Sequence, residues 1–323
     1  MMPKSIAKKL VGYALGVILV MDMVTGRYEC RARALSIEYY AVSCPLVDGM
    51  VRNTVSRALA NDPTLAAPLL RMHFHDCWIQ GCDASILVDS TTNNTAEKDS
   101  PANLSLRGFE VIDEAKEELE RQCPGVVSCA DIVAMAARDS VFLSGGPIYD
   151  IPKGRLDGRR SRIEDTVNLP FPTFNSSQLI SVFGQRGFTA REMVALSGAH
   201  TLGVARCSSF KSRLANIDTT IDSDFAKTLL KTCSLGDTAE QPFDATRTNF
   251  DNLYFLALQR KAGVLTSDQT LFVSAATQGV VNGYATNQAM FFFDFQQAMR
   301  KLSMLDVKTG TSGEIRQNCR KIN

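Results

Sequence analysis

The sequence predicts a mainly α-helical fold, and three observations support this. Apolar residues recur at the three- and four-residue spacing of helices through most of the 323-residue chain. Helix-start signals, such as the capping box Thr189-Ala-Arg-Glu192, stand before several of these patterns. Strand signals are few and short. A chain of this length, with 45% hydrophobic residues, can bury a large core as one domain or as two lobes.

In the first half of the chain, four segments have the helical pattern. The first is 44–60, and the second begins at Asp62-Pro63, where a capping carboxylate precedes a proline at the first helical position. Residues 109–120 are amphipathic, and a capping serine begins a helix over 128–137. Residues 88–106 are rich in Thr, Asn, Ser and Pro, so they are predicted to form a loop.

The second half begins with an irregular segment. Residues 150–175 contain prolines and Gly-Arg pairs, which are typical of loops. Helical patterns then follow at 189–196, 221–230, 252–262 and 291–302. The phenylalanines at the start of the last pattern, from Phe291 to Phe295, are predicted to lie in the core.

The second helical segment carries an arginine and a histidine suited to catalysis. On a helix, Arg71 and His75 are four residues apart and share a face, whereas His73 points elsewhere. A neutral imidazole can accept a proton, and the neighbouring guanidinium can stabilise an anion. The alternative is an ordinary packed or surface pair.

Oxygen donors and a cysteine pair follow immediately. The helical pattern stops after Cys77 and predicts a glycine-containing loop that Cys82 could close. Asp76, Asp83 and Ser85 offer hard oxygen ligands of the kind that Ca²⁺ prefers. The alternative is a solvated acidic loop without a metal.

The N-terminal residues have the layout of a secretory signal. Three lysines precede the apolar run 10–20, and Ala32-Arg-Ala34 is a small-residue cleavage site. We therefore predict a signal segment at 1–34, with the cleavage point left open, and a single folded domain at 35–323. An uncleaved anchor is the alternative, although the apolar run is short for a membrane span.

The cysteine count agrees with secretion. Of nine cysteines, Cys30 lies in the predicted signal segment, and the remaining eight predict four disulfides whose connectivity stays open. No C-x-x-C motif occurs, which argues against zinc ribbons and thioredoxin-like chemistry. The net charge is +1 and the basic residues are scattered, so nothing points to a nucleic-acid partner.

A third histidine, His200, stands far from the other two in the chain. The glycines near it, Gly198 and Gly203, would let a flat ligand approach the backbone. A histidine that binds haem iron also needs a carboxylate on its other nitrogen, and Asp268 lies in a suitable apolar segment. The alternative is a core histidine with no ligand.

Five motifs resemble those of the class III plant secretory peroxidases, over about 35–323. They are Arg-Met-His-Phe-His-Asp-Cys at 71–77, Gly-Cys-Asp-Ala-Ser at 81–85, Val-Ser-Cys-Ala-Asp at 127–131, Ala-Leu-Ser-Gly-Ala-His-Thr at 195–201 and Ser-Asp-Gln at 267–269. The resemblance implies a two-lobed, mainly helical haem-peroxidase fold, with one haem b between distal and proximal lobes. The implied disulfides are Cys44–Cys123, Cys77–Cys82, Cys129–Cys319 and Cys207–Cys233.

The resemblance also implies residue roles on the distal side. His75 would be the distal base and Arg71 its partner, with Phe74 packed over the haem edge. Asn103 would orient the imidazole through a hydrogen bond, although Asn103-Leu-Ser is also a glycosylation sequon.

On the proximal side, His200 would ligate the iron and Asp268 would accept its other N–H. Pro170 would border the substrate channel, and Asp131 and Arg155 would form a structural ion pair.

Two Ca²⁺ sites are implied as well. The distal ligands would be Asp76, Ile79, Gly81, Asp83 and Ser85, with Glu97 held through water. The proximal ligands would be Thr201, Asp244, Thr246 and Asp251. Here the segment 244–251 is one residue shorter than the family pattern and lacks its proline, so Thr246 competes with Thr248 and calcium binding stays open. Other departures are Trp78 in place of the usual Phe, Tyr149 near the family tryptophan, and Phe243 where cytochrome c peroxidase-like relatives carry a radical tryptophan.

The implied enzyme reduces H₂O₂ to water and oxidises small phenols, such as monolignols, by one-electron steps at the haem edge. Lignification, hydrogen peroxide catabolism and the oxidative stress response are the expected settings. We expect a monomer in the cell wall or apoplast, free of membrane after signal removal, with the vacuole less favoured because the chain stops soon after Cys319. Asn93 and Asn175 are possible glycan sites. A disulfide-bonded binding protein without haem is the rival hypothesis; a zinc hydrolase is a poorer one.

Overall fold

The computed structural model describes residues 35–215 and 218–323, so the predicted signal segment and Cys30 lie outside the described residues. The described α-helices are α1 (Val47–Asn61), α2 (Ala66–Gln80), α3 (Phe109–Gln122), α4 (Cys129–Leu143), α5 (Ser176–Gln185), α6 (Ala190–Ser197), α7 (Ser212–Ala215), α8 (Ser223–Cys233), α9 (Leu253–Gln259), α10 (Thr266–Val273), α11 (Ala275–Thr286) and α12 (Gln288–Leu302). In the same residues, β1 (Val204–Arg206) pairs antiparallel with β2 (Glu240–Pro242). The predicted mainly helical class is confirmed.

Short 3₁₀ turns connect these elements and carry several candidate site residues. They are Pro63–Leu65, Ser85–Leu87, Glu97–Asp99, Ile163–Asn168, Gly198–Thr201 and Cys207–Ser209. None of the described helices combines the length and the apolar character that a membrane crossing requires.

Helix α2 begins and ends differently from the prediction. The Asp62 carboxylate does cap the start, accepting from the backbone N–H of Thr64 at 2.9 Å, but one 3₁₀ turn precedes the α-helix. The helix also continues past Cys77, where a loop was predicted, and ends at Gln80. It stops there because Gly81 has a φ of +98°, which an L side chain adopts only with strain.

The sequence patterns missed four of the described helices, including the four-residue α7, and misplaced one aromatic side chain. Helix α5 begins directly after the segment predicted to be irregular and was missed, although the reciprocal Asn175–Gln178 capping box is a readable start signal. Helices α10 and α11 were also missed, because their apolar residues do not form one clear stripe. In α12, Phe291 and Phe295 are buried as predicted, but the prediction was wrong for Phe293, which is 62% exposed.

The helices pack in two groups. In the first, α4 lies against α1, α2 and α3. In the second, α6 packs against α5, α11 and α12, while α11 also packs against α9 and α10. Most buried apolar side chains of both groups belong to one continuous core, and a smaller cluster around Phe210 and Phe243 lies beside the sheet. This arrangement agrees with the two-lobed fold that the motifs imply.

Four disulfides connect the described chain, which confirms their predicted number. They are Cys44–Cys123, Cys77–Cys82, Cys129–Cys319 and Cys207–Cys233. The third joins residues that are 190 positions apart and therefore closes a very large loop. In the chain-entropy model such a loop destabilises the unfolded state by about 5 kcal/mol.

The C-terminal segment completes the first helical group. The Arg316 guanidinium is fully buried and donates to the carbonyls of Asp83 and Ala84, at 3.0 and 2.8 Å. The Asp89 N–H donates to the Arg320 carbonyl at 2.8 Å. Together with the Cys129–Cys319 bond, these contacts hold the loop after α2 in place.

The buried ion pair between Arg155 and Asp131 has the partners that the motifs imply. The Arg155 Nη1 lies 2.7 Å from Asp131 Oδ1, and both side chains are fully buried. The Tyr40 hydroxyl also donates to Asp131, at 2.7 Å, and Arg155 Nε donates to the Ser303 carbonyl at 3.0 Å. The pair therefore joins α4 to the end of α12 and is fully hydrogen-bonded, as a buried charge pair must be.

Candidate active site

Arg71 and His75 lie side by side on the same face of α2. The Arg71 Nε donates to His75 Nε2 at 3.0 Å. The same guanidinium donates to the Ser105 hydroxyl at 2.7 Å and to the Ala102 carbonyl at 2.8 Å, so its plane is fixed. Four-residue helical spacing produces the pairing, and the loop before α3 orients it.

The tautomer of His75 is set by Asn103. The Asn103 Nδ2 donates to the Glu97 carbonyl at 2.7 Å, which turns its Oδ1 towards His75 Nδ1 at 2.6 Å. His75 therefore carries its proton on Nδ1 and presents a lone pair at Nε2. Asn103 is 1% exposed, and this burial disfavours the sequon as a glycan site.

The environment of His75 keeps its imidazole neutral. Burial lowers the pKa of His75 well below the usual value of 6.5, and the nearby Arg71 charge lowers it further. The hydrogen bond to Asn103 acts in the opposite direction and raises this pKa. Burial also lowers the pKa of Arg71, to about 10, so the guanidinium is still charged at neutral pH. The pair combines a neutral base, whose Nε2 accepts from Arg71 in this structure, with a fixed cation.

Substitution of Arg71 by glutamine should move the acid limit of activity. Removal of the guanidinium takes away a charge that disfavours protonated His75, so the pKa of His75 should rise. If neutral His75 is the base that the resemblance implies, the rate of reaction with H₂O₂ should begin to fall at a higher pH, as the pH is lowered, than in the wild type. The measurement is the pH profile of that rate, normalised to each protein's own maximum. An acid limb that stays in place or moves to lower pH would contradict the assignment.

On the proximal side, His200 is held by a carboxylate. Its Nδ1 lies 2.7 Å from Asp268 Oδ1, and the Tyr254 hydroxyl donates to the same oxygen at 3.0 Å. The other oxygen, Asp268 Oδ2, accepts from the Leu265 N–H at 2.9 Å. Asp268 is therefore a buried, fully bonded acceptor that fixes the proton on His200 Nδ1 and leaves Nε2 free to bind a metal. Sequence reasoning missed Tyr254, which has no local motif.

The ring of Phe243 stacks on His200. Their centroids are 4.3 Å apart and their planes differ by 5°. Because phenylalanine is hard to oxidise, this stack orients the imidazole without offering a second redox group. The His200 side chain is 38% exposed, so one face is open to a ligand.

The glycines near His200 do not act as predicted. A Cβ on Gly198 would lie 2.4 Å from the Phe291 ring, and one on Gly203 would lie 2.7 Å from the Ala67 Cβ. Both glycines therefore allow close packing of protein groups rather than the approach of a flat ligand. The contact with Ala67 does bring the segment after His200 against α2, the helix that carries His75.

Phe74 and Pro170 are both partly exposed. The Phe74 ring meets the His75 ring edge-on, with centroids 5.9 Å apart, and stacks on Trp78 at 5.1 Å. Pro170 follows the 3₁₀ turn Ile163–Asn168. These apolar groups suit the edge of a flat aromatic cofactor and its donor.

Acidic oxygens converge beyond the end of α2. Asp76, Asp83 and Glu97 are buried, and Ser85 donates from its hydroxyl to Glu97 Oε2 at 3.0 Å. Glu97 Oε1 is buried without a hydrogen-bond partner. Ile79 lies in the last turn of α2, and Gly81 directly follows the helix. An unpaired buried carboxylate oxygen among other acids is an arrangement that suits a bound cation.

The pKa values of these acids agree with that interpretation. Burial raises the pKa of Asp76 well above its usual value and that of Glu97 to about 9, and repulsion among the acids adds to both shifts. Burial also raises the pKa of Asp83. No group of three His, Cys, Asp or Glu side chains in the described residues is placed to hold a metal by itself. A cation would therefore draw on hydroxyl and carbonyl oxygens as well, which is usual for Ca²⁺.

A second oxygen cluster surrounds Thr201, the residue after His200. Its hydroxyl donates to Asp244 Oδ2 at 2.7 Å and lies 3.1 Å from Asp251 Oδ1. The Thr246 hydroxyl lies 2.8 Å from Asp251 Oδ2 and 3.2 Å from Asp244 Oδ1. The structure thus brings Thr201 together with the three residues, Asp244, Thr246 and Asp251, that the shortened segment 244–251 was expected to supply.

Comparisons with known proteins agree with this geometry. The family model described as Peroxidase matches residues 51–287. Peroxidase 47 of Arabidopsis thaliana is 68% identical over 309 residues, which cover 96% of this chain and 95% of that protein. Peroxidase 64 of the same plant is 47% identical, over 90% of this chain and 93% of its own. Peroxidase 5 of Vitis vinifera is 45% identical, over 98% of this chain and 99% of that protein.

Proposed function

This chain belongs to the plant secretory peroxidases, and from that premise we propose how its residues carry out the reaction and which donors they serve. It is an enzyme of the haem-dependent peroxidase class, with H₂O₂ and a reducing donor as substrates. The proposal covers the roles of the site residues, one haem b, two Ca²⁺ ions and small phenols as donors.

The donor set at His200 fits haem iron. Its Nε2 has a free lone pair, while Nδ1 is paired with Asp268 at 2.7 Å. Haem held there by His200 would supply a redox-active iron centre for the reaction with peroxide. The carboxylate would hold the proton on Nδ1 and fix the orientation of the ring, so that Nε2 faces the iron.

On the distal side, proton movement belongs to His75. Its Nε2 accepts the proton of the bound peroxide and returns it to the outer oxygen, which leaves as water. Arg71 donates to the same region and stabilises the negative charge that develops as the bond breaks. Asn103 keeps the proton of His75 on Nδ1 throughout, so Nε2 stays available. The neutral His75 held between Arg71 and Asn103 is the observation that carries the proposal.

We assign small phenols as donors because the exposed groups near the site are apolar and aromatic. Phe74 and Pro170 are partly exposed, and Phe171 is 51% exposed. Such surfaces bind flat aromatic rings better than charged or strongly polar donors. Monolignols fit this class, which would connect the enzyme to lignification and to the removal of H₂O₂ in oxidative stress.

The test is expression with haem, followed by a spectrum and a turnover assay. A Soret band together with H₂O₂-dependent oxidation of guaiacol and of a monolignol, and weak turnover of ascorbate, would support the proposal. A folded protein that takes up no haem would favour the rival, a disulfide-bonded binding protein. Preference for ascorbate over every phenol would overturn the donor assignment alone.

Calcium removal should destabilise the protein. The buried acids Asp76, Asp83 and Glu97 repel one another without a cation, so chelation should lower the free energy of unfolding. For a site held at one hundred times its Kd, the expected loss is about 2.7 kcal/mol. The measurement is thermal unfolding with and without a chelator, and metal analysis gives the number of ions.

Two Asp-to-Asn variants test the calcium assignment, one in the proposed site and one as its matched control. Asp83→Asn should lose most of the chelator effect, whereas Asp237→Asn, at an exposed surface pair, should keep it. Equal stability of the wild type with and without chelator would contradict the calcium assignment.

We further propose secretion to the cell wall or apoplast as a monomer. The support is the signal-like layout of residues 1–34 and the four disulfides, which persist in oxidising compartments. Asn93 and Asn175 are both exposed sequons and are proposed as glycan sites, although the Asn175 side chain also caps α5.

A further inference from the structure

We propose that Trp78 is a positioning residue for the donor, because its indole N–H fixes the middle of the segment 163–174, here called the donor loop. This inference rests on the proposed function, in which Pro170 borders the donor site. Trp78 is the single tryptophan of the chain. It is 1% exposed and lies on α2, one helical turn after Phe74.

The indole makes one directed contact with the donor loop. Trp78 Nε1 donates to the Asn168 carbonyl at 3.0 Å. Asn168 ends the 3₁₀ turn Ile163–Asn168, and Pro170 stands two residues later. A phenylalanine at position 78 could fill the same space but could not donate this hydrogen bond.

Other contacts hold the ends of the donor loop. Near its start, the Thr166 hydroxyl bonds to Ser100 at 2.8 Å. Towards its end, the Pro172 carbonyl accepts from the Ser267 N–H at 3.0 Å. Among the described hydrogen bonds, the one from Trp78 is what ties residues 167–171 to the rest of the protein.

The indole ring packs between an aromatic side chain of its own helix, α2, and one of α5. The Trp78 ring stacks on Phe74 with centroids 5.1 Å apart, and it contacts Phe183 of α5 at 4.5 Å. The Arg186 guanidinium lies 5.7 Å from the indole and donates to the Trp78 carbonyl at 2.7 Å. These contacts hold the Trp78 ring in place, so its N–H donates to the donor loop from a fixed position.

The position of the exposed apolar side chains of the donor loop depends on this hydrogen bond. Val167 is 70% exposed and Phe171 is 51% exposed, on either side of Pro170. Between them the backbone is held by the hydrogen bond to the Asn168 carbonyl and by the buried side chain of Leu169, so loss of the hydrogen bond would let both exposed side chains shift. Bulky phenols contact more of this surface than small ones do, so their binding should be weakened most.

The experiment compares Trp78→Phe with the wild-type holoenzyme. The KM for coniferyl alcohol should rise about fivefold, the change that one neutral hydrogen bond typically carries. The KM for guaiacol should rise less, and the stopped-flow rate with H₂O₂ and the haem content should stay unchanged. As a second variant, an indole analogue with sulfur in place of the N–H at position 78 keeps the ring shape and should give the same KM rise.

Two controls separate the possible outcomes. Phe183→Leu removes packing against the indole but no hydrogen bond, so it should lower stability without this donor-selective change in KM. Pro170→Ala tests the donor site itself. If Pro170→Ala changes the KM and both substitutions at position 78 leave it within twofold, the role of Trp78 is overturned while the donor site stands. If Pro170→Ala has no effect, the proposed donor site fails as well.

Discussion

Substitution of His75 by alanine is expected to slow the reaction with H₂O₂ by at least ~10²–10⁴-fold, the range of general acid–base groups. The variant loses the Nε2 lone pair that accepts the peroxide proton, while Arg71 keeps its bonds to Ser105 and Ala102. Haem uptake should be unchanged because His200 is intact. The measurement is the second-order rate with H₂O₂ by stopped flow.

His73 provides the matched control for this substitution. It is buried on the same helix, two residues away, and lies 3.5 Å from Cys77 Sγ rather than facing Arg71. His73→Gln should leave the rate with H₂O₂ within a few-fold of wild type. A rate for His75→Ala within a factor of two of wild type would remove His75 from the mechanism.

The second large effect is expected at His200. Its replacement by alanine removes the one imidazole on the proximal side whose free Nε2 can bind iron, so most of the haem should be lost on purification. The measurement is the ratio of Soret to protein absorbance, with added imidazole as a rescue. Full haem occupancy without rescue would count against the assignment.

Asp268→Asn is the informative companion to that variant. It keeps the imidazole but replaces the carboxylate that accepts from His200 Nδ1 with a neutral amide. We expect the haem to remain bound while its iron is reduced at a less negative potential, since the ligand becomes less basic. Haem loss equal to that of His200→Ala would instead indicate that Asp268 mainly supports the local fold.

The sequence predicts the distal site well because its key spacing is helical. Arg71 and His75 had to share a face once α2 formed, and Asp76 follows on the same helix. The acids of the following loop belong to the same short stretch. Local rules therefore suffice for most of this half of the site.

The contacts around His200 could not be predicted from the local sequence. Tyr254 reaches Asp268 from another helix, and no spacing rule connects the two. The glycines near His200 were misread because their neighbours, such as Phe291 and Ala67, come from distant parts of the chain. Helix α5 was missed for a different reason, since its capping box was present but the prolines before it suggested a loop.

The role of Arg316 has a consequence for biosynthesis. Its guanidinium closes the loop that begins at Gly81, and Cys319 supplies the partner of Cys129, yet both are synthesised long after the groups that they hold, Cys319 by 190 positions. The first helical group therefore cannot reach its final form until residues 316–319 have been translated. A truncation just before Arg316 would remove both residues and so leave the loop after α2, more than two hundred residues upstream, without these contacts.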